Sequence, residues 1–456
     1  MMNPMRTVLP TLIGALLSGS LSLLPAHARA DDLIQVYDLA VRSDPTLRGA
    51  EQQLFATREA KPQARALLLP QLSAGGEANY NWRETQVRGT STRSGDFADQ
   101  NARAVLSQSV YNRASWMTLK QSDDVIAQAE AEFRNSQIDL MVRTTEAYFN
   151  VLRAADAVTV SESLVRANER QLEQSKQRFE VGLVAITDVN ESQAAYDSSR
   201  ANLINAKVAL DNAWEALRVI VGPSFDQPLA RLGDKLPLAP PEPNDLNVWA
   251  ETALRGNYGI IAATEAVQAA KKGIEIERSG YFPSVGAQAG YDWSNSDAQS
   301  GVIGAKGGFV GLTLNVPIYQ GGAVASRTRQ AGYQYRAAQD SLDATRRQVS
   351  QQVKDAFRGI QSSIEDVKAR QAAVVSARSS LESTQAGLEV GTRTQVDVLN
   401  AQRALFQAEF DYLSSRYTYI INGVKLHQAT STLTRDVLEK GNSWLNPADV
   451  VPPTAY

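Results

Sequence analysis

Val181-Gly182-Leu183-Val184-Ala185-Ile186-Thr187-Asp188-Val189 and Val390-Gly391-Thr392-Arg393-Thr394-Gln395-Val396-Asp397-Val398 follow one pattern. Each has a Val-Gly break, a short polar turn containing Thr, and Asp-Val opening a new helical run. Val181 and Val390 stand 209 positions apart.

Seven-residue spacing flanks both turns. Before the first come Val151, Val158, Val165, Leu172 and Phe179; before the second, Ile360, Val367, Val374, Leu381 and Leu388, at the same 209-residue offset. After the turns come Val189, Tyr196, Leu203, Leu210, Leu217 and their counterparts Val398, Leu405, Tyr412, Tyr419, Leu426. A sustained heptad keeps one apolar stripe facing a partner helix, so each turn is the tip of a coiled-coil hairpin. The runs leading into the tips, about Arg113 to Phe179 and Gly322 to Leu388, hold no proline and few glycines. At 1.5 Å per residue each reaches about 100 Å. The other heptad positions are mostly Gln, Ala, Arg, Ser and Glu. Small residues there suit lateral packing of hairpins into a wall, and a solvated outer face suits them too.

Gly182 and Gly391 fall where helices end, the position that favours left-handed backbone. Thr187 and Thr394 are placed to cap the helices that follow, and Thr394-Gln395-Val396-Asp397 has capping-box spacing. Capping and complementarity to the helix dipole are one reading of Asp188 and Asp397. A charge at a gate is the other.

The duplication covers nearly the whole chain. Leu39-Ala40-Val41-Arg42 matches Thr252-Ala253-Leu254-Arg255, Leu69-Pro70 matches Phe282-Pro283, and Glu146-Ala147-Tyr148 matches Asp355-Ala356-Phe357. Two structural repeats are expected, over 31–230 and 245–435, each running helix, β-hairpin, long helix, turn, helix. The first helix spans about Leu33 to Leu68 with a break at Asp44-Pro45. A Pro-rich linker occupies 231–244, and the tail over 436–456 reads as poorly ordered.

The strand segments alternate. Leu72, Ala74, Gly76, Ala78, Tyr80 and Trp82 share one face, and Ser73, Gly75, Glu77, Asn79 and Asn81 the other. In the second half Val285, Ala287, Ala289, Tyr291 and Trp293 oppose Ser284, Gly286, Gln288, Gly290 and Asp292. The return strands are weak in the first half (Ala102, Ala104, Leu106) and clear in the second, where Val310, Leu312, Leu314, Val316 and Ile318 oppose Gly311, Thr313 and Asn315. Apolar faces with aromatics toward the strand ends match transmembrane barrel strands, and also a half-buried soluble sheet. Arg83 to Asn101 and Ser294 to Gly308 read as long polar loops. Four strands cannot close a barrel, and an open edge in lipid leaves backbone groups unpaired. Several chains must share one barrel, eight strands from a dimer or twelve from a trimer.

Residues 1–30 read as a secretory signal peptide, with Arg6, an apolar run over Val8 to Leu24, and Ala28-Arg29-Ala30 as cleavage site. Losing Arg6 and Arg29 takes the net charge from −3 to about −5, which with no basic tract gives no reason to expect nucleic acid. There is no cysteine, so an exported chain has no disulfide and no lipidated N-terminal Cys. No later run is long and apolar enough for a transmembrane helix. His427, alone after the signal segment, reads as packing or surface. With no His pair, no Walker A run and no Gly-x-Ser-x-Gly elbow, no catalytic site, metal site or cofactor is expected.

These features together resemble the outer-membrane efflux family of channel-tunnel proteins that serve type I secretion. The two turns carry the resemblance, with Leu399 and Ala401-Gln402 after the second. Leu69-Pro70 and Phe282-Pro283 ahead of the strands and Val316-Pro317-Ile318-Tyr319-Gln320-Gly321-Gly322 after the last one add to it. It covers the chain up to the tail. It implies a mixed α and β membrane protein, a homotrimer whose twelve-stranded transmembrane β-barrel, four strands per chain, continues into a long α-helical coiled-coil barrel across the periplasm. Outer-membrane lipid, a periplasmic membrane-fusion adaptor and an inner-membrane ABC or proton-driven transporter are the implied partners. The implied function is a passive exit duct for type I protein secretion, multidrug efflux or both, gated at the periplasmic tips. By position, Asp397 matches an acidic ring that narrows the entrance, and Asn400 stands where the best-known member has a second aspartate. Arg393 matches the basic residue that links to Thr187 and Asp188 of the neighbouring hairpin. Leu388 replaces the aromatic that shares this latch. The alternative is a periplasmic coiled-coil adaptor, but that predicts one hairpin flanked by lipoyl-like β segments.

Overall fold

The computed structural model describes residues 30–85, 93–296 and 304–453; the signal-peptide reading falls, apart from Ala30, outside them. Three short helices open the chain: α1 (Leu33–Ser43), α2 (Pro45–Arg58) and α3 (Ala60–Ala66). Asp44 makes the first break. Its extended backbone ends α1, and its Oδ1 accepts the Leu47 N–H at 2.8 Å to cap α2, with Pro45 at the first helical position where an N–H is not needed. Its Oδ2 accepts from Arg143 at 2.8 Å. Burial works to raise the Asp44 carboxyl, but the bonds from Arg143 and the Leu47 N–H outweigh it and hold the group below the ordinary range.

A β-hairpin follows, β1 (Gln71–Thr85) and β2 (Arg93–Tyr111), then the long helix α4 (Arg113–Glu180), its return α5 (Ile186–Val221) and the short strand β3 (Leu229–Leu232). The chain then runs through α6 (Leu246–Gly256), α7 (Tyr258–Arg278), β4 (Ser284–Ser296), β5 (Gly304–Asn315), α8 (Ala323–Glu389), α9 (Gln395–Ala429), α10 (Arg435–Asn442) and β6 (Leu445–Val451). Asn112 starts α4, its Oδ1 accepting from the Ala114 and Ser115 N–H groups. Gly321 and Gly322, both at positive φ, turn the chain sharply from β5 into α8. Many of the heptad residues pack as the spacing requires: Val151, Leu217, Ile360, Val367, Val398, Leu405 and Leu426 are buried, with α4 on α5 and α8 on α9, whereas Phe179 beside the first tip is exposed.

All four long strands form one antiparallel sheet in the order β1-β2-β4-β5, leaving β1 and β5 as edges. The register puts Leu72 beside Leu106, Leu106 beside Ala289, and Ala289 beside Val310, so one apolar face crosses the whole sheet. Val310, Leu312, Trp82 and Leu72 on this face are each more than 75% exposed in the single chain. Tyr80, Trp82, Tyr291 and Trp293 mark one end of the band, and exposed Tyr111, Tyr281, Phe282 and Tyr319 the other. Roughly ten residues at about 3.3 Å each, tilted by about 40°, span about 25 Å, the height of a membrane barrel's apolar band. The opposite face is polar: Arg103 meets Asp292 at 2.9 Å, and Asn81 donates to Asp99 at 2.8 Å. Phe309 departs from the expected small or polar inner face. Its ring lies against Gly290, where an added Cβ would sit 2.5 Å from the ring, and Arg103 covers it at 5.2 Å.

The strands run further than the sequence suggests. β1 continues to Thr85 and β2 begins at Arg93; β4 reaches Ser296 and β5 starts at Gly304. Most of the two expected loops is therefore strand, and 86–92 and 297–303 lie outside the described residues. Alternation fades there because both faces leave the apolar layer while the backbone ladder continues.

A dense belt surrounds the middle of α4. Tyr148, Phe149, Val151, Leu152, Trp214 and Leu217 are fully buried, and the Tyr148 hydroxyl donates to the Ala230 carbonyl at 2.7 Å. Strand β6 pairs with β3, Val451 beside Leu229, which corrects the expectation of a poorly ordered tail. The linker reading over 231–244 also begins inside β3. Arg231 reaches the buried Asp156 at 2.8 Å, and the Tyr417 hydroxyl donates to the same carboxylate at 2.6 Å, so short, weakly patterned segments are fixed by contacts remote in sequence. His427 is a packing residue: its ring meets Trp249 edge-on at 5.5 Å and its Nδ1 lies 2.9 Å from the Thr432 hydroxyl. Burial, with a smaller push from Lys440, lowers its pKa.

A candidate gate at the coiled-coil tips

Both tips close in the same way. Gly182 (φ 77°) and Gly391 (φ 78°) take left-handed backbone. The Leu183 N–H donates to Arg178 O at 2.8 Å, and the Thr392 N–H to Gly387 O at 2.8 Å, each tying off the preceding helix.

The start of the second helix differs between tips. In α9, Thr394 is the cap: the Asp397 N–H donates to its Oγ1 at 3.2 Å, while its own N–H and hydroxyl both donate to Asp397 Oδ2 at 2.9 Å. The Thr394 N–H bond first, its hydroxyl second and Arg393 more weakly hold the Asp397 carboxyl below the ordinary range, so it is ionised at neutral pH. In α5 the cap position is Ala185, which has no capping side chain, and Thr187 already lies in the helix. The expected Thr187 cap is thus corrected: Ala185 stands where Thr394 does in the other copy, and the helix is entered two residues before Thr187.

Arg393 folds back over the end of α8. A Cβ on Gly387 would sit 2.6 Å from Arg393 Cγ, so only glycine leaves room for the arginine stem. Within one chain, among the described residues, Arg393 forms no ion pair, and no hydrogen bond joins it to Thr187 or Asp188 of the first hairpin. Asp397 and Asn400 lie on the side of α9 opposite Gln395, Leu399 and Gln402, given about 100° per helical residue. The latter three are buried, whereas Asn400 is exposed.

The buried side of α9 carries residues that the sequence reading passed over. Gln171 Nε2 donates to Gln395 Oε1 at 3.0 Å, and Gln395 Nε2 to Ser192 Oγ at 3.1 Å, with Ser175 Oγ 3.0 Å beyond. One heptad along, Gln402 Nε2 donates to Asn168 Oδ1 at 3.3 Å, and Asn168 Nδ2 to the Ala195 carbonyl at 3.1 Å. The signal was available: 168 and 175, 192 and 199, and 395 and 402 are polar pairs at seven-residue spacing.

A four-stranded sheet with one apolar, aromatic-bounded face, joined to coiled-coil hairpins with polar tips, defines an outer-membrane export channel subunit. The sequence matches the family described as outer membrane efflux protein over residues 36–223 and 249–432, and the chain belongs to that family of channel proteins. Among its relatives, the outer membrane protein TolC of Vibrio cholerae serotype O1 is 36% identical over 440 residues, covering 95% of this chain and 98% of that one. The alkaline protease secretion protein AprF of Pseudomonas aeruginosa is 28% identical over 440 residues, covering 95% of this chain and 91% of that one. The outer membrane channel CmeC of Campylobacter jejuni shares the fold with a TM-score of 0.74 at 15% identity, over 91% of this chain and 90% of that one. The protein is thus an outer-membrane protein whose helical part lies in the periplasm.

Proposed function

We propose that three copies of this chain form a passive exit duct, their twelve strands closing one barrel and their helices one tunnel. One observation carries this reading: among the described residues β1 and β5 end the sheet with no further strand beside them, while its apolar face is exposed. Unpaired edges in lipid cost several kcal/mol per group, and joining β5 of one copy to β1 of the next removes them all. The similar order of elements before and after the linker supports a tandem repeat, in which each half supplies one hairpin of strands and one of helices.

The tips form the entrance. Three Asp397 carboxylates and three Asn400 amides line its narrowest part, attracting cations and opposing anions. Arg393 of one copy links to Thr187 and Asp188 of the next, an arrangement that its free guanidinium and folded stem support. A periplasmic adaptor and an inner-membrane transporter dock at this end, for protein secretion, small-molecule efflux or both. Two measurements test the reading. Membrane fractionation with gel migration before and after heating should show a heat-modifiable trimer in the outer membrane; a soluble monomer would overturn it. In planar bilayers, Arg393→Ser with Asp188→Ala should raise conductance, and an unchanged value removes the link.

A further inference from the structure

The Pro-rich stretch that the sequence presents as a linker is, in the structure, one wall of a cavity of about 350 Å³. Ligand pockets run from roughly 300 to 1,000 Å³, so the space suits a small molecule. Pro240 and Pro241 form this wall, and two aromatic side chains pin the stretch: the Tyr419 hydroxyl donates to the Ala239 carbonyl at 2.9 Å, and Trp249 Nε1 to the Pro243 carbonyl at 2.7 Å. Tyr419, Gly423 and His427, at four-residue spacing, line the cavity with one face of α9, and Lys440 and Gly441 of α10 with Trp444 complete it. Two of these residues are glycines within helices. Gly441 is buried and Gly423 half-buried, yet a Cβ added to either meets nothing within 4 Å. Glycine inside a helix is costly beside alanine, and here no close packing calls for it.

The lining is mostly apolar, and its polar groups have capacity to spare. Lys440 and Glu242 are exposed and form no ion pair among the described residues. His427 engages only Nδ1, 2.9 Å from the Thr432 hydroxyl. The surrounding network assigns its tautomer. The Thr430 hydroxyl reaches the Leu426 and His427 carbonyls at 3.1 and 3.2 Å, and a carbonyl only accepts. With Thr430 donating there, Thr432 donates to Thr430 at 2.8 Å and His427 Nδ1 donates to Thr432, an assignment that fills every contact. Nε2 is then a bare acceptor. Burial first, and the charge of Lys440 second, hold the ring below its ordinary pKa, so it is neutral at neutral pH with a cation nearby. A molecule that satisfies both groups needs a donor for Nε2 and an anion for Lys440, and the proline, tyrosine and tryptophan rings around them suit a flat aromatic body. We propose that the cavity binds a small aromatic acid whose ring O–H or N–H donates to His427 Nε2 and whose anionic group pairs with Lys440. Every lining residue comes from one chain, so the site stands apart from the duct reading.

Isothermal titration calorimetry on the full-length protein tests this, with para-hydroxyphenylpropionate as the probe. The wild type should bind one molecule per chain. The para-methoxy analogue, which lacks the donor, and tyramine, which carries an ammonium in place of the carboxylate, should each bind at least about tenfold more weakly. In the protein, His427→Phe and Lys440→Gln should each cut affinity severalfold, whereas Glu242→Gln, by removing a like charge, should not weaken it. Gly423→Leu fills the cavity and should abolish binding while melting no lower than the wild type, because open space receives the side chain and the helix loses a glycine. Gly423→Ala adds a single carbon to the same space; it should fold as the wild type does and bind more weakly. No binding by the folded wild type, or full binding by a folded Gly423→Leu protein, overturns the site and leaves the duct untouched. Equal affinity for the three compounds would reduce the cavity to an unselective apolar cleft and overturn the proposal as well.

Discussion

The two helical hairpins share a heptad seam, a glycine turn and a closing hydrogen bond at matched positions, yet their tips are built for different surroundings. At the first, Val181, Leu183 and Ile186 stand at least half exposed, Ala185 leaves the helix start uncapped, and Arg178 occupies the last turn. At the second, Gln395 is buried, Thr394 and Asp397 cap each other, and Gly387 makes room for Arg393. The two hairpins share one pattern of elements. Differences at a few positions leave exposed apolar residues at one tip and a capped, polar helix start at the other.

Exchanging matched residues tests this division. The largest effect is expected at Asp188 and Asp397, which occupy the same place in the two copies. Asp397→Asn should abolish block of the channel by a trivalent cation, while Asp188→Asn leaves the block in place; equal loss in both would erase the distinction. Asn400→Asp should strengthen block by adding a second ring. The Asp397 carboxyl is depressed below its unfolded value, so its charge and its cap are complete above the ordinary carboxylate range of about 4 and are lost only as pH falls through the lower folded value. Block should accordingly be constant from neutral pH down to about 5.

A smaller change is expected at Gly387 and Arg178. Gly387→Ala pushes on the Arg393 stem and should raise conductance part of the way toward the Arg393→Ser, Asp188→Ala variant, whereas Arg178→Ala should not. Equal conductance in the two single variants would mean that Arg393 does not depend on the glycine. Smallest is the capping difference. Thr394→Ala should cost about 1 kcal/mol of local stability, and Thr187→Ala close to nothing, because Thr187 caps no helix. Amide exchange at the first turns of α9 and α5 reads both, and similar losses would restore Thr187 as a cap.

Features that repeat or alternate over long stretches were legible in the sequence. Heptads named the long helices and buried seams, and the paired glycines proved left-handed where helix ends required it. The Asp44 break was legible because proline and a capping aspartate stand together. Short elements set by distant partners were not. Strand β6 carries little apolar pattern and exists because β3 and Arg231 receive it, and β2 outruns its alternation because ladder bonds need no apolar face. At the second tip, Gly391, Arg393 and Asp397 stood out, but Gln395 and Gln402 were passed over because polar heptad positions normally face water. Only their partners on α4 and α5 show that these do not.

The belt has a consequence for how the molecule is made. Asp31 bridges to Leu229 and Val451 pairs with the same residue, so one short strand is flanked by segments 420 positions apart in sequence. That junction cannot close until β6 has crossed into the compartment where the chain folds. The hairpins, whose contacts are local, can zip from their tips while synthesis continues, and long-range pairing of this kind is intrinsically slow. Newly exported chains should therefore pass through a stage with formed coiled coils and an unfinished belt.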